Sequence, residues 1–240
     1  MRLFTKTLAT IATVFALLPS WAGQSSAQQS PVTAIDVLLE PDATMLKHAA
    51  AANARLLKVF PKGFALDEAH RPHMTTLQRF VRTADLDKVY DAVGKTLAGE
   101  KIADWKLRAF KYYYLPAGET GLAGIVVEPT GAWLRLQQKI IDAVAPFAVQ
   151  SGSEAAFHLT PEDGAFSKGL IEYVAAFVPA STGKKFNPHV TIGVATQEYL
   201  KAMLAEPFDA FTFSPVGVSV YQLGNFGTAR RKLKAWELTP

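Results

Sequence analysis

One six-residue pattern occurs twice and limits what the chain can become. Arg71-Pro72-His73-Met74-Thr75-Thr76 is echoed 116 residues later by Asn187-Pro188-His189-Val190-Thr191-Ile192. In both copies a proline leads and β-rich residues follow. Each copy predicts a strand beginning at the proline, where a missing N–H costs no ladder bond. Successive strand side chains point to opposite faces, so His73 and Thr75 share one face, as do His189 and Thr191. Met74 and Val190 then point into a core. With five His and nineteen Thr among 240 residues, chance supplies about 0.4 His-x-Thr matches. Three occur. The third, His158-Leu159-Thr160, runs into Pro161-Glu162-Asp163. That run reads as an N-cap, a first-turn proline and first-turn acids, which makes Thr160 a helix cap.

Around the two motifs, periodicity and turn residues predict an alternation of strands and helices. Thr33 to Leu39 reads as a strand, and Asp42 caps a helix over Ala43 to Val59. His73 to Val81 is the first motif strand, followed by a helix from Asp85 to Leu97. Leu107 to Leu115 and Leu122 to Val127 form strands joined by a turn within PAGETG. A helix with one apolar face follows Thr130, and another opens at Thr160 and runs to about Phe177. His189 to Val194 is the second motif strand. A short helix over Gln197 to Leu204 and two or three terminal strands complete the chain. This order lacks the rhythm of uniform βαβ units and predicts an α+β fold with one motif strand in each of two lobes.

The first 27 residues read as an address. Arg2 and Lys6 precede an apolar run from Leu8 to Leu18, Pro19 ends it, and small residues lead to a cut after Ala27. The run is shorter than the roughly 20 residues a membrane span needs. Residues 1–27 are therefore expected to be a cleavable signal peptide, with residues 28–240 forming the exported, periplasmic or secreted domain. Cleavage removes two cations, so the formal charge of +4 belongs partly to the leader. The absence of cysteine excludes thiol nucleophiles, Cys-ligated metals and disulfides.

Two such strands facing one another put two imidazoles and two hydroxyls around one small space. Phosphoryl transfer can use that set directly. One imidazole takes a proton from the attacking oxygen, the other gives one to the leaving oxygen, and the hydroxyls hold non-bridging oxygens. Histidine suits both roles because its ordinary pKa lies near about 6.5. No metal or other cofactor is required.

The paired motif resembles the signature of the two-histidine (2H) phosphoesterase superfamily, which includes bacterial 2′-5′ RNA ligase-like proteins and 2′,3′-cyclic nucleotide phosphodiesterases. That signature is His-hydrophobic-Thr/Ser-hydrophobic, once per lobe. His189-Val190-Thr191-Ile192 fits it throughout; in His73-Met74-Thr75-Thr76 the last position is Thr76, with Leu77 after it. Val220 to Gly224 and Gly227 to Leu238 resemble the family's closing hairpin. The resemblance implies a bilobal, pseudo-two-fold α+β fold, with two antiparallel sheets lining a central cleft and helices outside. It implies His73 and His189 as the acid–base pair and Thr75 and Thr191 as phosphate-holding residues. The expected function is metal-independent opening of 2′,3′-cyclic phosphates on small nucleotides or short RNA ends, by a monomer with no stable membrane partner. The alternative is a non-catalytic protein that binds a phosphorylated or nucleotide ligand on the same fold.

Other residues have simpler readings. In Tyr112-Tyr113-Tyr114 alternate rings face opposite sides, so one face is either a base-stacking platform or sheet packing. Arg230-Arg231-Lys232 and Lys184-Lys185 read as solvated charge before any phosphate contact. His70 beside His73 does not make a metal motif without a paired carboxylate–His pattern, and His48 falls on the polar face of the first helix.

Overall fold

The computed structural model describes residues 30–238. The signal-peptide segment therefore lies outside the described residues. Among those residues no helix is long and apolar enough to cross a membrane.

Strand β1 (Val32–Pro41) is the centre of the first sheet, paired antiparallel to β2 (Met74–Arg82) on one side and β8 (Pro215–Leu223) on the other. Strands β5 (Ala148–Val149) and β9 (Ala229–Glu237) extend it to the order β5-β2-β1-β8-β9. The second sheet has the order β6-β4-β3-β7, built from β3 (Leu107–Ala117), β4 (Thr120–Val127), β6 (His189–Thr196) and β7 (Phe211–Phe213), again antiparallel. The expected α+β architecture with two antiparallel sheets is thus present. The β3–β4 hairpin closes between Ala117 and Thr120, and Gly118 supplies the positive φ of +60° that its tight turn needs.

Helix α1 (Ala43–Val59) begins where Asp42 accepts from the N–H groups of Thr44 and Met45, and it buries Met45, Ala49, Ala52 and Leu56 behind β6. Helix α2 (Leu86–Ala98) packs on α3 (Gly131–Val144), and α3 covers the back of β2 with Trp133, Leu136 and Ile140. Helix α5 (Gln197–Ala205) lies on β3, β4 and β6. Their buried faces join one continuous core with Ile35, Val37 and Leu39 of β1.

Helix α4 (Gly169–Ser181) starts later than the sequence predicts. Thr160-Pro161-Glu162-Asp163 does form a capped turn, with the Thr160 N–H donating to Asp163 at 2.6 Å, but only as a 3₁₀ turn over Pro161–Asp163. Gly164 ends it at φ +66°. Asn225 then holds the following loop through its amide, donating to the carbonyls of Asp163 and Ala165 and accepting from the Ser167 N–H. Helix α4 packs on Phe80 and Ala34, which share a sheet face with Asp36, and so flanks the cleft.

Both motif strands carry a β-bulge at the same place. Leu38 pairs with Thr75 and Val37 with Leu77, so Thr76 is the extra residue; Gly124 pairs with Thr191 and Ala123 with Gly193, so Ile192 is the extra residue. Each is the fourth residue of its motif. The bulge after Thr191 uses Gly193 at φ +139°, and a Cβ there would lie 3.0 Å from both the Asn53 Nδ2 and the Leu56 Cδ1. Gly193→Ala is expected to cost about 1–3 kcal/mol. Gly169→Ala, at a helix start with open space around it, is expected to be neutral or slightly stabilising. Urea unfolding of both variants checks the pair; equal midpoints would contradict the strain at Gly193.

Candidate functional site

The two histidines are mounted in the same way. His73 Nδ1 lies 2.6 Å from the carbonyl oxygen of Arg71, and His189 Nδ1 lies 2.8 Å from that of Asn187. A carbonyl only accepts, so each Nδ1 carries the proton and each Nε2 is the ring's free nitrogen. Pro72 and Pro188 stand between ring and carbonyl. Strand β2 begins at Met74 and β6 at His189, so the prolines precede the strands instead of opening them. Their role here is to hold the preceding residue extended, which aims its carbonyl at the ring.

The sheets bring the rings close enough for charge on one to be felt by the other. Burial lowers the pKa of His189, its bond to Asn187 opposes that, and positive charge at His73 lowers it further. Thr75 and Thr191 are half-buried on the same faces as their histidines, while Met74 and Val190 are fully buried behind them. Each motif strand thus presents its histidine and threonine on one face, and charge at His73 is felt at His189.

The surroundings of the two copies differ. Beside His189, the Tyr113 ring lies 4.6 Å from the imidazole and covers Gly124, the residue paired with Thr191. A Cβ on Gly124 would come within 2.5 Å of Tyr113, so glycine is what admits the ring. Burial pushes the Tyr113 hydroxyl well up, and it stays neutral. Tyr112 and Tyr114 turn to the opposite face and pack on the core, so the tyrosine run contributes one ring to the site.

Behind His73 stands Asp36, a carboxylate with no exposed surface. Its Oδ2 accepts the Thr75 hydroxyl at 2.7 Å and the Gln78 amide at 3.1 Å, and lies 3.7 Å from His73 Nε2. Burial raises its pKa above the ordinary carboxylate range, against the pull of His73, Thr75 and Gln78. Sequence reasoning missed Asp36 and Gln78. The available signal was a lone acid inside the apolar run of β1.

Two further buried side chains escaped notice, Gln137 of α3 and Asn53 of α1. Gln137 donates to the carbonyl of the bulged Thr76 at 2.9 Å and accepts from the Gly183 N–H at 3.1 Å. Asn53 donates to the carbonyl of the bulged Ile192 at 2.9 Å, donates to the Phe64 carbonyl and accepts from the Leu66 N–H. Thr76 itself, polar where a hydrophobic residue is usual, is satisfied by the Trp133 indole N–H at 3.1 Å.

The remaining sequence candidates lie elsewhere. His158 has Arg231, Arg230 and Asp163 as its charged neighbours, and burial lowers its pKa. Thr160 accepts from Arg230 at 2.8 Å. Lys232 pairs with Glu40 at 2.7 Å over the Tyr221 ring. His70 stacks on Phe64 and bonds Asp67, and His48 stacks on Phe211. Lys185 bonds the Pro179 carbonyl, and the neighbouring Phe186 packs on Trp133 in the core. Among the described residues no three His, Asp or Glu side chains converge as a metal-holding group.

This fold has known counterparts. The chain is similar to the crystal structure of TT0787 of Thermus thermophilus, with 18% identity, 86% of this chain and 98% of that one covered, and a TM-score of 0.52. It is also similar to E. coli LigT complexed with ATP, at 13% identity over 87% of this chain and 99% of that one, with a TM-score of 0.40. Usb1 of Kluyveromyces marxianus matches at 8% identity over 88% and 99%, with a TM-score of 0.42. No family model matches the sequence, and no curated protein matches it. The chain shares its overall fold with TT0787.

Replacing Gln137 by Met leaves the Thr76 carbonyl and the Gly183 N–H without their partner. The expected cost is about 1–3 kcal/mol, and Asn53→Leu is expected to cost a similar amount. An unchanged urea midpoint in either variant would show that these amides do not secure the bulges.

Proposed function

We propose that the protein is an exported phosphodiesterase that opens 2′,3′-cyclic phosphates of nucleotides or short RNA ends, using His73 and His189 as its acid–base pair. The observation that carries this reading is the matched mounting of the two imidazoles, each tied through Nδ1 to a backbone carbonyl two residues earlier. A ring held in this way keeps one tautomer and one orientation, which proton transfer requires.

The reaction balances without another reagent. One neutral imidazole takes a proton from water through Nε2 as the water oxygen bonds to phosphorus. The bond from phosphorus to one ribose oxygen breaks, and that oxygen receives the proton on Nε2 of the other ring. The product is a phosphate monoester. Hydroxyls at Thr75 and Thr191 hold non-bridging oxygens, and the Tyr113 ring limits how far the His189 ring can tilt. The same residues would serve transfer to a ribose hydroxyl in place of water. Hydrolysis is favoured because acceptor ends are scarce outside the cytoplasm.

Hydrolysis of a panel of 2′,3′-cyclic nucleotides and cyclic-ended short RNAs in EDTA tests the reading. Activity is expected to persist in the chelator and to show a bell-shaped pH profile, since turnover needs one neutral and one protonated ring. His73→Ala and His189→Ala are each expected to lower kcat by about 10²- to 10⁴-fold, with His158→Ala near the wild-type rate. A folded wild-type protein without turnover that is nonetheless stabilised by nucleotides would favour the binding-protein alternative. Export is tested by sequencing the N-terminus of the protein recovered from outside the cytoplasm. A start at Gln28 is expected, and retention of Met1 would overturn cleavage.

A further inference from the structure

The two motifs are equivalent in their histidines and threonines but not in what stands behind them. Among the described residues no carboxylate bonds His189 or Thr191, whereas Asp36 faces both His73 and Thr75. The Asp36 Oδ1 is buried without a hydrogen-bond partner, and so is the Oε1 of Gln78, its pairing residue on the neighbouring strand. Two such buried acceptors on adjacent strands are unusual. A proton held at Asp36 turns one of them into a donor.

We propose that Asp36 is a positioning residue that assigns the two roles, making His73 the proton donor and leaving His189 the proton acceptor. This rests on the phosphodiesterase reading above. The groups facing Asp36 are His73, Thr75 and Gln78 from β2 and its approach, Tyr221 from β8, and Tyr173 from α4. Those facing His189 are His73 and Tyr113. Burial raises both Tyr113 and Tyr173, so neither carries charge near neutrality. The exchangeable charge belongs to Asp36, His73 and His189.

Burial works in opposite directions at the two ends of that set. It raises Asp36 and so favours a proton on the Asp36–His73 pair, whichever partner holds it. It lowers His189, and positive charge at His73 lowers it again. His189 is therefore the ring more readily left without a proton, and His73 is the ring with a buried carboxylate beside it to share one. In the reaction, His189 Nε2 takes the proton of the attacking water while the leaving ribose oxygen takes the proton from His73 Nε2. Solvent then restores both. At rest the Thr75 hydroxyl donates its single hydrogen to Asp36, and it must turn from that bond to hold a non-bridging oxygen when substrate binds.

The test is a pH titration of the histidine ring-carbon NMR signals in the full chain, assigned with the two alanine variants, alongside kcat–pH profiles for wild type and Asp36→Asn. Asparagine keeps an acceptor for Thr75 and places a donor where Oδ1 lacks one. A carboxyl raised in the folded state costs stability as the pH climbs past its unfolded value near about 3.9. Removing the charge is therefore not expected to unfold the protein. In wild type, the His189 signals are expected to titrate below the ordinary histidine value near about 6.5. In Asp36→Asn the alkaline limb of the kcat profile is expected to move to lower pH by about one unit or more, while the acid limb moves less. His189 titrating above the ordinary value in wild type, or an unmoved alkaline limb in a folded Asp36→Asn protein, overturns the proposal. Should Asp36→Asn fail to fold, the wild-type titration of His189 decides alone. Absence of turnover with the expected titrations overturns the phosphodiesterase reading and leaves the Asp36–His73 pair standing.

Discussion

A β-bulge pushes one carbonyl out of its ladder, and a buried carbonyl without a donor costs about 1–3 kcal/mol. Here that happens twice, once beside each motif, and each time a buried helix amide supplies the donor. The remaining bonds of those amides matter as much. Gln137 ties the bulge of the first motif to Gly183, on the approach to the second. Asn53 ties the bulge of the second motif to Phe64 and Leu66, on the approach to the first. Each amide therefore joins the motif strand of one lobe to the chain that delivers the other. The lobes cannot shift apart without breaking both sets.

That cross-linking fixes two short motifs, far apart in sequence, relative to one another. The rings need fixed orientation as well as proximity, because proton transfer falls away when nitrogen and oxygen are misaligned. Orientation comes from the approach segments, through the carbonyls of Arg71 and Asn187. Position comes from the bulged strands. The amides couple these two sources of order, so an error in one lobe's approach is carried to the other lobe's strand.

The sequence made the repeat legible because strand alternation and the Pro-His-x-Thr spacing are local properties. Helix α1 was also legible to its ends, since Asp42 caps it and Pro61 follows. Helix α4 was not. The cap at Thr160 is real, yet Gly164 stops the turn and Asn225, distant in sequence, shapes the loop that follows. Thr76 looked like a flaw in the first motif. It is instead a bulged residue whose hydroxyl takes the Trp133 indole, with Leu77 restored to the core face beyond it. Gln137 and Asn53 each lay within a helix whose apolar face was visible. That a polar side chain on that face would meet a bulged carbonyl depends on pairing between distant strands, which periodicity cannot report.

The same limit hid Asp36, and its case is the most instructive. An acid in the middle of an apolar strand conflicts with the binary pattern, and such conflicts gather where structure serves chemistry. A pseudo-symmetric fold supplies two equivalent imidazoles, but acid–base catalysis needs them unequal at the moment of reaction. Symmetry in the backbone provides the mounting, and the difference must come from the neighbours. On one side that neighbour is an aromatic ring, which adds no charge near neutrality. On the other it is a carboxylate sealed from solvent, whose charge and proton are felt at 3.7 Å. The two lobes thus share their bulges, amides and carbonyl clamps and differ at the single group able to decide where the proton rests.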